Sequence, residues 1–416
     1  MSKTIVVMID GLGADYFTKY RHRLPYLSAI AERGTLVDRV SPERCGTSLP
    51  GRTSIVTGVA SSQHGIYGNI IWDGSQFRYA NWTDVKAPTI AEQATKAGLT
   101  VANIGYAMLN PAHSALFYPP SWAHELLQPN EDGSPSNADK IWLEQMEMAK
   151  QATWLNPLVE LGYPEAFVAR DYEHPTEYLL SGQMNDQIMI DWTAGVTCTR
   201  PDVDLAIMEI GMPDYFLHRF GCEHDLTRLA IETADAQVGR LVHALERANQ
   251  LDSTNILVTS DHGFSPITQS IHPENILMLD DNAAQFSCEG GVLHLHYQSI
   301  AQLESYTAQL AKHGVSSFSN DYLPTQDQNQ VACFLAPSGC AFHLDNHHCR
   351  KAMGPAKYKA NHGFKPGHSA DERFLAMAGP DVPNDHISTA LAQQVAPTIA
   401  HLSGLSTEFY PMNSLL

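Results

Sequence analysis

The sequence lacks three features that would each mark a class of protein: a long apolar run, an excess of cationic residues and a regular cysteine spacing. No run approaches the roughly 20 apolar residues of a membrane-spanning helix, and the N-terminus MSKTIVVMIDGLG has no signal-peptide pattern. The 26 Lys and Arg residues are outnumbered by 45 Asp and Glu residues, giving a formal charge of −19. Long nucleic acid and anionic membranes normally require a basic surface, so we expect neither partner.

Cysteine is also scarce. The seven cysteines show no regular spacing, which predicts free thiols in a reducing compartment rather than a disulfide framework. Together with the missing leader pattern, this predicts a cytoplasmic protein. A small anionic substrate is compatible with the negative charge, because metal ions can outweigh it inside one site. The same features leave the oligomeric state open, with a homodimer as one option.

Short apolar runs alternate with segments of helical spacing along the chain. The strand candidates are TIVVMI (4–9), TVANIG (100–105), DLAIMEI (204–210), NILVTS (255–260) and ERFLAMAG (372–379). The helix candidates are LPYLSAIAERG (24–34), a segment near 88–97, a segment from 225 to 249, and TALAQQVAPTIAHLSGL (389–405). Fully apolar strands separated by amphipathic helices are typical of parallel sheets. The predicted fold class is α/β, a largely parallel sheet with helices on both faces.

Two segments interrupt this alternation. Residues 110–185 are rich in Pro, Trp, Tyr and acidic residues, and we expect loops and helices inserted above the sheet. Residues 266–358 contain short strand candidates, including GGVLHLHY, QVACFLAP and GCAFHLD, beside a helix near 300–313. The predicted organisation is a catalytic core of residues 1–265 plus 359–416, and a small α+β cap subdomain of residues 266–358.

Acidic and histidine side chains follow three of the apolar strand candidates. Asp10 ends TIVVMID, Asp214 follows DLAIMEI, and Asp261 and His262 follow NILVTS. Ligands bind beyond the carboxyl ends of strands in open α/β sheets, so these residues are expected to converge. His218 lies four residues after Asp214, which places both side chains on one side of a helical turn.

A separate glycine-rich loop, NHGFKPGHS, adds His362 and His368. Each of these residues alone fits a turn or a helix cap, but their joint occurrence after several strands indicates a composite site. Carboxylate and imidazole ligands suit zinc, and two such clusters suit a pair of ions roughly 4 Å apart that activates a nucleophile and binds a phosphoryl oxygen.

The chain resembles the alkaline phosphatase superfamily, in particular its nucleotide pyrophosphatase/phosphodiesterase branch, over nearly the whole core. The segments that carry the resemblance are VMIDGLG, LPYLSAIAERGT, TSIVTGVASSQHGIYGN, MEIGMPDYFLHRFG, TSDHGF, NHGFKPGHSADERFLAMAGP and QQVAPTIAHLSG. Each motif alone is weak, whereas the set in this order is specific. The resemblance implies an alkaline phosphatase-like fold and hydrolysis of a small phosphorylated or phosphonate substrate.

The resemblance also implies a ligand set of two zinc ions, with manganese or another divalent metal as an alternative. One ion is expected on Asp214, His218 and His362. The other is expected on Asp10, Asp261, His262 and the nucleophile, Ser48. His368 is not expected to be a direct ligand.

The turn CGTSLPGRTSIVTG (45–58) places the nucleophile of this family at Ser48. On the residues alone, Ser48 could instead cap a helix that has Pro50 in its first turn. The resemblance favours attack by Ser48 on phosphorus through a phosphoseryl intermediate. Arg52 also completes a sulfatase-like pattern, in which its guanidinium would contact a sulfate or phosphate oxygen.

The resemblance does not fix the substrate, and a phosphodiesterase or nucleotide pyrophosphatase is the first expectation. Ser48 and Gly51 stand where phosphodiesterases of this branch usually have Thr and Asn, so a phosphomonoesterase remains an alternative. Phosphonoacetate hydrolases, which are close relatives, have lysines that TVANIGYAMLNPAH lacks. A serine-type sulfatase and a phosphosugar mutase are weaker alternatives.

Other residues have simpler expected roles. His294 and His296 alternate with leucines and are expected on the solvent face of a cap strand, and His347 and His348 on a loop surface. Cys45 is expected to be a small buried thiol. The residues Asn69, Trp72 and Tyr106 lie in segments that could line either a pocket or the core.

Overall fold

A computed structural model describes residues 2–42, 46–123, 140–165, 175–277, 285–344, 350–364, 367–368 and 371–416. Its strands are β1 (Lys3–Ile9), β2 (Thr35–Ser41), β3 (Ile70–Trp72), β4 (Phe77–Tyr79), β5 (Val101–Ile104), β6 (Leu116–Tyr118), β7 (Leu205–Ile210), β8 (Thr254–Thr259), β9 (Ser265–Pro266), β10 (Gln269–Ile271), β11 (Phe286–Glu289), β12 (Val292–His296), β13 (Ser316–Phe318), β14 (Val331–Leu335), β15 (Cys340–Phe342), β16 (Met353–Pro355), β17 (Ala360–Asn361), β18 (Arg373–Ala378) and β19 (Asp385–Leu391).

The helices follow the same chain order. They are α1 (Ala14–Tyr20), α2 (Pro25–Arg33), α3 (Ser48–Thr57), α4 (Ser61–His64), α5 (Ile90–Lys96), α6 (Lys140–Lys150), α7 (Asn156–Glu160), α8 (Pro175–Thr199), α9 (Met212–Phe220), α10 (Asp225–Arg247), α11 (Pro273–Ile276), α12 (Ile300–Ala311) and α13 (Val395–Leu402).

The central sheet has eight strands in the order β19-β2-β18-β8-β1-β7-β5-β6. β1 lies parallel to both β7 and β8, and only β18 runs antiparallel to its neighbours β2 and β8. The residues of β1 from Thr4 onward are buried, as its unbroken apolar sequence requires in a strand covered on both faces. The predicted α/β fold with a largely parallel sheet is confirmed.

Helices cover the two faces of this sheet. On one face α2, α8 and α10 pack in a cluster that includes Leu27, Ile188 and Leu241, and on the other α3, α5 and α13 pack around Ile55, Ile90 and Ile399. Burying one such side chain stabilises the fold by about 1.5–3 kcal/mol, so the helical spacing of the sequence sets which helix surface faces the sheet.

Two segments differ from the sequence-based expectation. Residues 389–405 do not form one helix, because 389–391 end the edge strand β19, which pairs with β2, and α13 begins at Val395. Within the predicted insertion 110–185, residues 116–118 form β6 and pair with β5 as part of the central sheet. In both places backbone pairing with a neighbouring strand overrides the local pattern.

Residues 266–358 contain two small sheets. One has the order β11-β12-β14-β13, with α12 packed near it, and the other has the order β15-β10-β16. The first sheet contacts the core through an apolar cluster that includes Leu49, Trp72, Val292 and Tyr322. The boundaries of the core and cap stay a prediction.

His294 corrects one expectation. Consecutive residues of β12 from Val292 to Leu295 are buried, so both faces of this strand are covered, and His294 is 1% exposed rather than on the solvent face. Its Nε2 lies 2.8 Å from the Tyr322 hydroxyl, and burial lowers its pKa to about 3. His296 is partly exposed and stacks on Trp72 with ring centroids 4.1 Å apart.

Two further expectations concern location and cysteine chemistry. No helix among the described residues is both long and apolar enough to cross a membrane. Within those residues the cysteines at 198, 222, 288, 333 and 340 are free thiols. The cytoplasmic location and the homodimer stay predictions.

Candidate metal centre

The predicted ligands meet at the carboxyl-end edge of the central sheet. β1, β7 and β8 run in the same direction as neighbours, with Ile9 paired to Ile210 and Met8 to Thr259, so the segments that follow them begin at one edge. Those segments, together with α3 and β17, deliver Asp10 after β1, Asp214 and His218 on α9, Asp261 and His262 after β8, His362 after β17, and Ser48 at the start of α3.

We call Asp214, His218 and His362 the first metal group. Asp214 and His218 are four residues apart on α9, and Asp214 Oδ1 lies 3.6 Å from His218 Nε2. The same oxygen lies 4.0 Å from His362 Nε2. All three residues offer ligand atoms within 4.8 Å of one another, so one ion could contact all of them.

We call Asp10, Asp261, His262 and Ser48 the second metal group. From His262 Nε2, Ser48 Oγ lies at 3.1 Å, Asp10 Oδ1 at 3.5 Å and Asp261 Oδ2 at 3.7 Å. Asp214 Oδ1 lies 3.8 Å from the same nitrogen and therefore stands between the two groups.

The separations measured from His262 Nε2 are compatible with a tetrahedral divalent ion such as zinc. Zinc bonds to oxygen and nitrogen at about 2.0–2.2 Å, which separates tetrahedral ligands by about 3.3–3.6 Å, close to the separations around His262. Asp10 Oδ1 is also buried without a hydrogen-bond partner among the described residues. A buried carboxylate oxygen left without a donor costs about 1–3 kcal/mol or more, and a cation would satisfy it.

All three histidines present the same nitrogen to the cluster. The Nδ1 atom of His218 lies 3.2 Å from the Ala360 carbonyl, and those of His262 and His362 lie 3.2 Å from the carbonyls of Gly263 and Gly46, respectively. A carbonyl oxygen only accepts hydrogen bonds, so each Nδ1 carries the proton and each Nε2 keeps its lone pair. This support from a second partner is usual for histidine ligands of metals.

The imidazoles are held neutral. Burial lowers the pKa of His218 to about 4. Burial, followed by the Arg52 charge, holds the pKa of His262 well below its ordinary value, and burial with the neighbouring His262 does the same for His362. Neutral imidazole is the form that binds metal ions, so these three side chains have the protonation state that metal binding requires.

Ser48 is not the cap of α3. The cap position belongs to Thr47, whose side chain makes no cap hydrogen bond, and Ser48 is the first helical residue. Its hydroxyl instead lies against His262, while Leu49 N donates to Asn69 Oδ1 at 2.7 Å. Asn69 therefore holds the backbone next to Ser48 and lies at the candidate site.

A family model shows to which family the chain belongs. The family model described as type I phosphodiesterase / nucleotide pyrophosphatase matches residues 4–366. The chain belongs to this family.

Two relatives illustrate the level of sequence identity. Bis(5'-adenosyl)-triphosphatase ENPP4 of Bos taurus is 24% identical over 311 residues, covering 74% of this chain and 55% of the relative. The Pongo abelii protein of the same name is 22% identical over 419 residues, covering 97% of this chain and 78% of the relative. The chain thus spans little more than half of the bovine relative.

A solved structure agrees on the fold. It is murine ectonucleotide pyrophosphatase / phosphodiesterase 5, as an inactive variant in complex with AMP, and it aligns with a TM-score of 0.68 at 18% identity. The alignment covers 99% of this chain and 97% of the murine chain. At that identity the likeness shows the fold alone.

Close packing explains why position 51 is a glycine. A Cβ atom at this position would lie 2.5 Å from the Asp261 carbonyl oxygen, so the first turn of α3 packs directly on the backbone of the second metal group. No side chain fits there without moving the segment that carries Asp261 and His262. The absence of Asn at this position therefore reflects packing.

Arg52 lies beneath the site, which does not support its predicted contact with a substrate anion. Its side chain is 1% exposed, and its Nη1 donates to Asp261 Oδ2 at 2.6 Å and its Nη2 to Asp10 Oδ2. Its Nε donates to Glu209 Oε2 at 2.9 Å. Burial alone would lower the Arg52 pKa, but these carboxylates outweigh burial and raise it well above the ordinary value.

The remaining predicted residues lie apart from the metal groups. Tyr106 is buried and donates its hydroxyl to the Arg52 carbonyl at 2.8 Å, and Trp72 is 6% exposed in the apolar cluster that joins core and cap. His368 belongs to neither metal group and lies 5.1 Å from the Phe364 ring. Cys45, His347 and His348 lie outside the described residues.

Three buried carboxyl groups near the site were missed by sequence reasoning. Asp186 accepts hydrogen bonds from Gly211 N at 3.1 Å and Met212 N at 2.9 Å, where α9 begins. Asp371 accepts from the two amides after His362, and Glu209 binds Arg52. Only Glu209 carries a sequence signal, since it is an acidic residue inside the apolar run LAIMEI.

Proposed function

We propose that this protein is a two-metal hydrolase of phosphate esters, of the phosphodiesterase/nucleotide pyrophosphatase type, acting through a phosphoseryl intermediate at Ser48. The observation that carries the proposal is the 3.1 Å approach of Ser48 Oγ to His262 Nε2. Around it lie the carboxylates of Asp10 and Asp214 with three imidazoles, and Asp261 Oδ2 at 3.7 Å from His262 Nε2. Family membership supports the same chemistry.

Two zinc ions, or other divalent ions such as manganese, would be held by the residues already grouped. Asp214, His218 and His362 would hold one, and Asp10, Asp261, His262 and Ser48 would hold the other. When bound, the ions would supply charge that favours the serine alkoxide, offsets negative charge on the phosphoryl oxygens and lowers the pKa of the attacking water.

Ser48 provides the nucleophilic oxygen in this proposal. A serine hydroxyl is weakly nucleophilic at neutral pH, and its oxygen becomes reactive once its proton is lost. Ser48 Oγ forms a bond to phosphorus as the bond to the leaving-group oxygen breaks in line. Water then attacks the same phosphorus, the bond to Ser48 Oγ breaks, and phosphate or a phosphomonoester is released.

Asn69 and α3 orient the phosphoryl group in this proposal. The Asn69 carboxamide accepts from Leu49 N, so its amide group is fixed beside the first turn of α3 and close to Ser48. An amide N–H donates well to an anionic oxygen. The positive end of the ten-residue α3 helix favours the same charge. The amide donor is thus supplied from the segment before β3 instead of from Gly51.

Nucleoside polyphosphates and other diesters are the first substrates to test. The bovine relative is named a bis(5'-adenosyl)-triphosphatase, and the murine structure contains AMP. The phosphomonoesterase alternative relied on Arg52 as an anion contact, and the guanidinium is instead occupied by carboxylates. The same placement weakens the sulfatase alternative.

The test is a substrate panel on the zinc-loaded protein, with and without chelator. The panel contains diadenosine triphosphate, a chromogenic phosphodiester, a phosphomonoester, phosphonoacetate and a sulfate ester. We expect the diesters to be hydrolysed fastest and chelator to abolish turnover. Release of neither phosphate nor alcohol from any member of the panel would instead favour a phosphosugar mutase, which retains the phosphate in its product.

Ser48→Ala is the matching variant. We expect it to keep its metals and lose at least roughly a thousandfold in turnover. Ser54→Ala is the control, because Ser54 lies in the same helix and bonds His64 at 3.0 Å, away from the metal groups. Full hydrolysis by Ser48→Ala, or a mass shift showing formylglycine at Ser48, contradicts the proposal.

A further inference from the structure

We propose that Glu209 is a positioning residue for the second metal group, which holds Arg52 in place and offsets its charge so that Asp10 and Asp261 remain available to a divalent ion. The inference rests on the proposed function, since it requires that this group bind metal. It concerns residues that lie beneath the ligands and outside the reaction itself.

The Arg52 guanidinium is held by three carboxylates at once. Nε donates to Glu209 at 2.9 Å, Nη1 donates to Asp261 at 2.6 Å, and Nη2 donates to Asp10. A guanidinium is planar, so fixing its Nε edge also fixes the directions of its two Nη groups. Glu209 therefore determines where Arg52 meets the two carboxylates of the metal group.

These contacts orient the two carboxylates. Asp10 uses Oδ2 for Arg52, which turns its unpartnered Oδ1 toward His262. Asp261 uses Oδ1 to accept from Gly11 N at 3.1 Å and His262 N at 3.0 Å, and Oδ2 for Arg52. Each carboxylate plane is thus fixed from below, which is what an outer layer of hydrogen bonds does for metal ligands.

Arg52 also brings a charge that opposes metal binding. A guanidinium in contact with both carboxylates repels a divalent cation bound to the same carboxylates, and burial leaves little water to screen this repulsion. Glu209, 3% exposed, places one negative charge beside Arg52. The pair is neutral together, so Asp10 and Asp261 still present two negative charges to a divalent ion.

Glu209 is itself fixed on its other side. Trp122 Nε1 donates to Glu209 Oε1, while Oε2 receives the Arg52 bond. The Trp122 ring also lies 5.7 Å from the Arg52 guanidinium carbon. An acidic side chain inside the apolar strand β7 would be costly without such partners, so its placement indicates a specific role.

The test measures zinc affinity at the second metal group alone, in a His218→Ala background that disables the first group. Affinity is measured by competition with a chromophoric chelator, and stoichiometry by elemental analysis. We expect Glu209→Gln to weaken zinc binding by about 10- to 100-fold. Trp122→Phe, which removes a hydrogen bond to Glu209 but no charge, is the matched control and is expected to lose less than about threefold.

Two more variants separate charge from packing. The double variant Arg52→Gln/Glu209→Gln removes both charges and is expected to bind zinc more tightly than Glu209→Gln alone. Should Glu209→Gln fail to fold, Arg52→Lys provides a second route, because a single ammonium cannot hold three carboxylates in fork geometry, and its zinc affinity is expected to fall.

Wild-type zinc affinity in Glu209→Gln, or equal losses in Glu209→Gln and Trp122→Phe, would overturn the inference while leaving the proposed function intact. No recovery in the double variant would also overturn it. If the His218→Ala parent binds no zinc at all, the proposed function and the inference fail together at this group.

Discussion

The two metal groups lie side by side at one sheet edge but are built differently. The first group has two histidines and Asp214, whose side chain is 21% exposed. The second group has two carboxylates, one histidine and Ser48, and its Asp261 side chain is fully buried on Arg52. The first metal group is thus partly exposed and contains one carboxylate. The second faces the core and contains two carboxylates in contact with a buried guanidinium.

The two metal groups are also held in place by different kinds of contact. Backbone turns position the first group: Asp186 holds the start of α9, which carries Asp214 and His218, and Asp371 holds the loop after His362. A buried charge network positions the second group. We therefore expect the first group to respond to changes in turn geometry, and the second to changes in charge balance.

We expect the largest effect from removing one ligand of the first metal group. His218→Ala should lower zinc stoichiometry from two to one and reduce diester hydrolysis by roughly a hundredfold or more, because one source of transition-state charge stabilisation is lost. Elemental analysis and steady-state kinetics check this. His294→Ala, at a buried cap histidine outside both groups, should keep two zinc ions. Loss of both ions in His218→Ala would mean that the second metal group does not hold zinc by itself, which contradicts its proposed role.

A smaller effect is expected from loosening a turn. Asp371 is 2% exposed and accepts from Phe364 N at 2.6 Å and Gly363 N at 3.2 Å. Asp371→Asn replaces one acceptor oxygen by an amide donor, so we expect about tenfold weaker zinc binding at the first group and about 1–3 kcal/mol lower free energy of unfolding. Chelator competition and urea unfolding measure these changes.

The control for this variant is Asp381→Asn, at an exposed carboxyl that accepts from Asn255 at 2.9 Å. It should leave zinc affinity unchanged. If Asp371→Asn weakened the second group as much as the first, turn geometry would not distinguish the two groups.

The convergence of three carboxylates at the candidate site could be predicted from the sequence because each follows an apolar run. Asp10, Asp214 and Asp261 follow strands whose apolar sequences predict burial on both faces. Parallel neighbours place their carboxyl ends at the same edge of the sheet. The fold class follows from the same runs. The family resemblance then supplied the grouping and selected Ser48.

The residues that hold the candidate ligands in place could not be predicted, because each binds a partner outside its own helical turn or strand. Asp371 binds amides seven and eight residues before it, and Asp186 binds amides 25 and 26 residues ahead. Nothing local distinguishes these carboxyls from surface ones. The carboxylate partners of Arg52 could not be predicted either, because a guanidinium suits an anionic substrate and a buried carboxylate equally well, and only the fold brings Glu209 against it.

The smallest effect on metal binding is expected for Asp186, whose titration instead makes the free energy of unfolding depend on pH. Burial raises its pKa from 3.8 to about 7. The protonated form thus favours the folded state: this stabilisation is fully present below pH 4 and is lost as the pH rises through about 7, by up to about 1.4 kcal/mol per pH unit. Burial also raises the pKa of Asp371 to about 8 and that of Glu289 to about 7, so these groups add slopes of the same sign. Asp186→Asn should therefore make the pH dependence of urea unfolding shallower by its own share with chelator present, whereas Asp381→Asn should keep the wild-type slope. Parallel curves for wild type and Asp186→Asn between pH 4 and 7 would show that Asp186 does not titrate in the folded protein.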